Sequence, residues 1–473
     1  MSFISAEFIA FLAVVWVLYW AIGDRAWQNR FLLLTSYVFY GWVHLWMTAL
    51  LFGVTAMNYV AGRLLARHPE RKDAIVGAVV LLSVLNLCVF KYFGWFADAV
   101  GGIRGWELVL PLGLSFYTFH NLSYTIEVSR GRFAAKTDVV DYFLYGSFFP
   151  QLVAGPVERA AHLLPQLETP RRFSVEQFTS GLGLCLWGAF KKVALADAIA
   201  PFVDVIFGTE SANAGMVWAA ALGFTIQALA DFSGYTDIAR GASRMLGIEL
   251  MDNFAHPYLA ASPMEFWQRW HISFSTWLRD YVYLPACFSG WVRQWITVPF
   301  SGEWGAFATT ARALLITMLV SGIWHGSTWN YIVWGFYYFV IGTLYAGLLP
   351  KLPRKWKKDG RWRWLTVPVM FGFTVFGMHI FREPSIPRLL AHLSLDPLAG
   401  TPEQWTLTAA MLGVCAYAAT PLIVALIVER YLLARLAASP FWPALRYTTW
   451  ACFAVAVFVS VRMSATDFIY FQF

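Results

Sequence analysis

Two histidines carry most of the chemical potential in this chain. His325 closes a strongly apolar run and stands between Gly322 and Gly326 in the stretch Leu319-Val320-Ser321-Gly322-Ile323-Trp324-His325-Gly326-Ser327-Thr328-Trp329-Asn330. Ionisable groups inside apolar segments are costly, so their default reading is functional. Small neighbours let another backbone, or an extended ligand, approach the imidazole closely. Imidazole titrates near neutrality and suits general-base work; the plainer alternative is a structural histidine bonded to a carbonyl. His271 is the second, in Glu265-Phe266-Trp267-Gln268-Arg269-Trp270-His271. Trp324, Ser321 and Asn330 beside the first histidine, Arg269 and Trp270 beside the second, and Asp237 upstream are candidate lining residues. No spacing among the histidines matches a metal-ligand pattern, so no metal is expected.

The elements that hold these residues differ in kind. Ser262-Pro263-Met264-Glu265 supplies an N-cap hydroxyl, a proline at the first helical position and a reciprocal glutamate. It opens a helix expected to run over 264–280. Glu265, Arg269, Ser273, Thr276 and Arg279 fall along one side of it, while Phe266, Trp267, Trp270, Phe274, Trp277 and Leu278 broaden the other. So many charges do not suit a lipid-facing span. The helix lies at the membrane interface or packs against a water-filled cavity. Thr401-Pro402-Glu403-Gln404 and Ser174 with Gln177 mark two further helix starts.

Around these elements the chain is built for lipid. Of its 473 residues 59% are hydrophobic and 13% charged, against about 25% charged in a soluble chain; the mean hydropathy is +0.55. Aromatic residues make up 18%, which suits helix ends at the headgroup level. Apolar runs recur at 4–22, 31–46, 47–65, 74–97, 108–126, 139–153, 178–207, 214–238, 313–349, 364–381, 405–428 and 447–461, giving roughly eleven spans. The fold expected is all-α and polytopic, one membrane-embedded domain over 1–473. The first run lacks a basic flank and reads as a retained helix. The excess of 35 basic over 28 acidic residues follows topology and not nucleic acid. The cluster from Lys351 to Arg363 is placed in the cytoplasm, which puts the N-terminus outside; it could also meet an anionic cofactor or lipid headgroups. Asp231, Asp237 and Arg240 form a structural network or line a cavity, with Asp237 and Arg240 spaced to pair. Lys191 and Lys192 are expected to snorkel to the interface. The five scattered cysteines signal neither disulfides nor a zinc site.

Several stretches together resemble the membrane-bound O-acyltransferase family, in its bacterial polysaccharide O-acetylation branch. They are Phe39-Tyr40-Gly41-Trp42, Pro111-Leu112-Gly113-Leu114-Ser115-Phe116-Tyr117-Thr118-Phe119, Phe149-Pro150-Gln151-Leu152-Val153-Ala154-Gly155-Pro156 and Asp231-Phe232-Ser233-Gly234-Tyr235-Thr236-Asp237. The two histidine motifs, Trp277-Leu278-Arg279-Asp280-Tyr281 and the closing Phe468-Ile469-Tyr470-Phe471-Gln472-Phe473 complete the set. His120 stands where the family commonly has Gln, and Ala286-Cys287-Phe288-Ser289-Gly290-Trp291 replaces a Gly-Gly turn.

The resemblance implies spanning and re-entrant helices around a central tunnel in a bacterial inner membrane. It implies His325 as catalytic histidine and His271 as the second motif position, orienting the first or carrying a proton. It further implies acetyl-CoA as acyl donor, an extracytoplasmic glycan as acceptor and a periplasmic partner acetyltransferase. A D-alanyl transferase using carrier-protein thioesters is the near alternative. A transporter or flippase without bond chemistry is the alternative of another class.

Overall fold

The computed structural model describes residues 1–99, 110–153, 155–288, 302–348 and 362–461. The basic run 351–361, the loop around Arg104, Ser289 to Trp291 and the closing motif lie outside them. Among the described residues the chain is helical throughout, with no strand. Among the described residues seven helices are long and apolar enough to cross a membrane, and the protein is a polytopic membrane protein. Several of the other apolar runs form shorter or interrupted helices.

The chain divides into two compact units, Met1–Ala189 with Gly234–Asp252, and Phe190–Ser233 with Asn253–Phe473. The first holds α1 (Ala6–Ala21), α2 (Arg25–Gly41), α3 (Trp46–Arg67), α4 (Lys72–Ala99), α5 (Leu114–Ser129), α6 (Val139–Ser147), α7 (Phe149–Leu152), α8 (Ala160–Glu168) and α9 (Val175–Ala189). Several buried polar groups here are paired, which offsets the cost of taking them out of water. Asp141 takes hydrogen bonds from Arg25 (2.9 Å) and Asn29 (2.7 Å), and Thr125 donates to Asn58 (2.7 Å). Glu158, fully buried, accepts from the Met251 amide and contacts His162 Nδ1 at 2.7 Å. His120 is buried on α5 with Nε2 3.2 Å from the Pro156 carbonyl.

The second unit begins with a π-helical turn, Phe190–Ala196, leading into α10 (Asp197–Gly208). Helix α11 (Ala214–Met245) contains the boundary between the units. Lys192 does not snorkel. It is 1% exposed and its ammonium sits 2.8 Å from Asp197 and 2.6 Å from Asp231. Two carboxylates within reach make a buried ion group a better home than the interface, which corrects the expectation for this residue. Lys191 is also buried and donates to Ser233 at 2.8 Å.

After α12 (Pro263–Arg269) and α13 (Ile272–Leu278) come a π-helical turn, α14 (Leu284–Phe288), α15 (Gly302–His325), α16 (Trp329–Leu348), α17 (Arg363–Arg382), α18 (Ile386–Leu393), α19 (Pro402–Ile427) and α20 (Trp442–Ser460). Helices α15 and α16 form a tight hairpin. A Cβ on Gly322 would strike the Tyr331 carbonyl, and one on Gly335 the Met318 carbonyl. Gly322 therefore serves another backbone, as one of the two sequence readings had it, whereas Gly326 makes room for the Tyr331 ring.

Candidate active site

The helix expected over 264–280 is broken at its centre. Trp270 is extended, and His271 adopts a left-handed conformation (φ 44°, ψ 53°) that starts α13. The cause lies outside the segment. The loop at 253–255 lies alongside and takes over the backbone partners: Ala255 N–H donates to the Arg269 carbonyl (3.0 Å) and Ile272 N–H to the Asn253 carbonyl (2.9 Å). Helical bonds lost at the break are thus replaced, and the non-glycine left-handed residue is held by its surroundings. Upstream, Ser262 caps α12 by accepting from the Glu265 amide (3.1 Å), while Glu265 reaches back to the Ala261 amide (2.8 Å).

This break places the His271 ring inside the unit. The residue is 1% exposed, and its ring centroid lies 4.7 Å from Phe232, 5.0 Å from Phe274 and 6.2 Å from Trp324. Burial pushes the imidazole down to about 3, so it is neutral near pH 7. Its Nδ1 is 3.0 Å from Asn253 Oδ1. His325 ends α15, is 8% exposed, and is walled by Trp324 (4.7 Å), Trp334 (4.9 Å), Phe381 (5.0 Å) and Phe274 (6.4 Å). Phe274 and Trp324 stack at 4.1 Å. The two imidazoles, 54 positions apart in sequence, border one aromatic pair.

The candidate lining residues divide in the structure. Trp324, in that aromatic pair, belongs to the wall around the histidines, and Trp270 packs on Phe254 at 5.2 Å, which in turn meets Phe232 at 5.1 Å. Ser321 is buried one turn before His325. Asn330 is buried and donates to the carbonyls of Phe381 (2.9 Å) and Ile380 (3.3 Å), tying the start of α16 to the end of α17. Arg269 pairs with Glu265 (2.8 Å) and donates to the Ala255 carbonyl (3.1 Å). Arg363, which closes the basic cluster, also reaches Glu265 (2.9 Å). Burial alone would raise the Glu265 carboxyl, but Arg363, the Ala261 amide and Arg269 outweigh it and hold it below its ordinary range. Asp237 belongs to the first unit and pairs with Arg240 at 3.7 Å, as its spacing suggested.

Sequence reasoning passed over Asn253 and Phe381, and gave Phe232 only as part of a motif stretch, with no place at the site. None is flagged by period or cap, and all three reach the histidines through tertiary packing. Among the described residues no cluster of His, Cys, Asp or Glu could hold a metal.

The arrangement, with two buried imidazoles at a shared aromatic wall, can move a proton away from water. The family model described as membrane-bound O-acyltransferase matches residues 32–304. The chain belongs to that family. It is 38% identical over 348 residues to a probable alginate O-acetylase AlgI of Pseudomonas aeruginosa, covering 71% of this chain and 64% of that protein. It is 34% identical over 388 residues to the probable alginate O-acetylase AlgI of Azotobacter vinelandii, covering 80% and 75%. A peptidoglycan O-acetyltransferase of Helicobacter pylori is 30% identical over 370 residues, covering 69% and 66%. This membrane-bound O-acyltransferase family member thus spans less than two thirds of the length of the Pseudomonas aeruginosa relative.

Proposed function

We propose that this protein is an O-acyltransferase of a bacterial inner membrane. It takes an acetyl group from cytoplasmic acetyl-CoA and delivers it to a hydroxyl of an extracytoplasmic polysaccharide, or of a partner acetyltransferase that modifies one. The observation that carries the reading is the pair His271 and His325, buried in one compact unit against the Phe274–Trp324 pair. The names of the relatives, alginate O-acetylase and peptidoglycan O-acetyltransferase, support the acyl group and the acceptor class.

A thioester is already activated, so the protein has only to align a hydroxyl, remove its proton and exclude water. In this reading His325 takes the proton as the hydroxyl oxygen attacks the acyl carbonyl. The carbon–sulfur bond then breaks, and the proton passes to the leaving thiolate. His271 orients the first imidazole or carries the proton with it. In this reading the chain acts as one membrane-embedded catalytic domain.

Reconstitution in liposomes with acetyl-labelled acetyl-CoA outside and an oligosaccharide acceptor inside tests this. Label should appear in alkali-labile ester on the acceptor, or on an added partner. Intact donor after prolonged incubation with both acceptor and partner present would overturn it.

A further inference from the structure

We infer that Asn253 is a positioning residue for His271, holding the ring with its proton on Nδ1 and committing Nε2 as the lone-pair nitrogen. The inference rests on the reading of His271 just proposed and gives it an atomic assignment.

The argument starts from which end of the Asn253 amide faces the ring. Oxygen and nitrogen of an amide are told apart by their partners. The backbone N–H of Ser273 is a donor that cannot reverse, and it points at the Asn253 side-chain atom from 3.3 Å. That atom is therefore the oxygen, an acceptor. The Ser273 hydroxyl donates to the same oxygen at 2.8 Å. His271 Nδ1, 3.0 Å away, must then donate too. A neutral imidazole has one N–H. With that proton on Nδ1, the lone pair belongs to Nε2. Burial favours the neutral ring, so the assignment holds across ordinary pH.

The backbone reinforces the side chain. Ile272 N–H donates to the Asn253 carbonyl at 2.9 Å, so one residue engages positions 271, 272 and 273 in turn. The left-handed turn at His271 aims the ring, and Asn253 fixes both the turn and the tautomer. Asn253, His271 and Ser273 are each no more than 1% exposed, so water does not compete for the oxygen. Chemically, Nε2 is then the nitrogen that accepts a hydrogen bond, or a proton, from the protonated form of the other histidine.

The test is nitrogen-15 NMR of histidine-labelled protein in nanodiscs, with His271 assigned by its loss in His271→Gln. The native spectrum should show a protonated Nδ1 and an unprotonated Nε2 between pH 6 and 8. Asn253→Asp keeps the acceptor and adds a negative charge. It should keep the tautomer, retain transfer within about tenfold, and move the acid limb of the rate profile to higher pH, because a carboxylate favours the imidazolium. Asn253→Ala should scramble the tautomer and cost about 10- to 100-fold in rate, the usual range for a partner that orients a reacting imidazole. A native His271 protonated on Nε2, or an Asn253→Ala protein with native tautomer and rate, overturns the inference. If Asn253→Ala does not fold, the native spectrum and Asn253→Asp decide it. A native Nδ1–H ring together with undiminished transfer in His271→Gln would instead refute the proposed role of His271 and leave the tautomer assignment standing.

Discussion

Lys192→Met separates a buried ion group from an interfacial lysine. In the structure the Lys192 side chain is 1% exposed, and its partners Asp197 and Asp231 are 12% and 3% exposed. Removing Lys192 takes away the cation that these two buried carboxylates share. Breaking a buried pair by deleting one partner costs about 3–5 kcal/mol, whereas a surface pair is worth about 0–1 kcal/mol. The neighbouring Lys191 donates to Ser233 at 2.8 Å. Tryptophan-fluorescence melting of the detergent-solubilised protein should fall by about 3–5 °C, since an unfolding entropy of about 2.1 cal/mol/K per residue makes each degree worth about 1 kcal/mol for a chain of 473 residues. The triple change Lys192→Met, Asp197→Leu, Asp231→Leu should recover most of it, because apolar replacement of a whole buried ion group is often neutral. A Lys192→Met protein melting with the wild type would refute the network and restore the snorkelling lysine.

Three further outcomes follow from the geometry. Gly335→Ala should destabilise the α15–α16 hairpin by about 1–3 kcal/mol, since its Cβ meets the Met318 carbonyl; Gly342→Ala, which meets only the Leu314 side chain at 3.6 Å, should be neutral or slightly stabilising, and paired melting curves read the difference. His271→Gly should melt higher than His271→Ala, because alanine has to hold the left-handed φ of 44°, at about 1 kcal/mol, while both lose the imidazole. The hydrogen bond that His162 donates to Glu158 raises its imidazole above its ordinary value. Its stabilising contribution is therefore complete below about pH 6.5 and is lost as pH rises through the raised value. Protection of the Met251 amide from hydrogen exchange, corrected for intrinsic rate, should decline over that window, and Glu158→Gln should flatten the response.

Local signals in the sequence were legible and distant ones were not. The Thr401 capping box is complete, with Thr401 and Gln404 bonded reciprocally (3.3 and 2.8 Å), and Ser174 and Ser262 cap as their spacing implied. Asp237 and Arg240 pair because three residues of helix bring them together. Apolar runs revealed the membrane class, since length and hydropathy need no partner to be read. The break at His271 was hidden, because residues 253–255 replace the helical bonds and no periodicity within 264–280 records them. Lys192 was misjudged for the same reason: Asp231 arrives from another helix. Asn253 is an ordinary polar loop residue until folding sets it beside the imidazole.

The proposed proton transfer at His325 meets its most direct test in a single-turnover experiment. Protein reconstituted with labelled acetyl-CoA is mixed with acceptor, and ester formation is followed for wild type and His325→Ala, with donor binding measured in parallel. The account predicts ester formation slowed by about 10² to 10⁴ with donor affinity largely retained. Wild-type ester formation from a folded His325→Ala protein would contradict it.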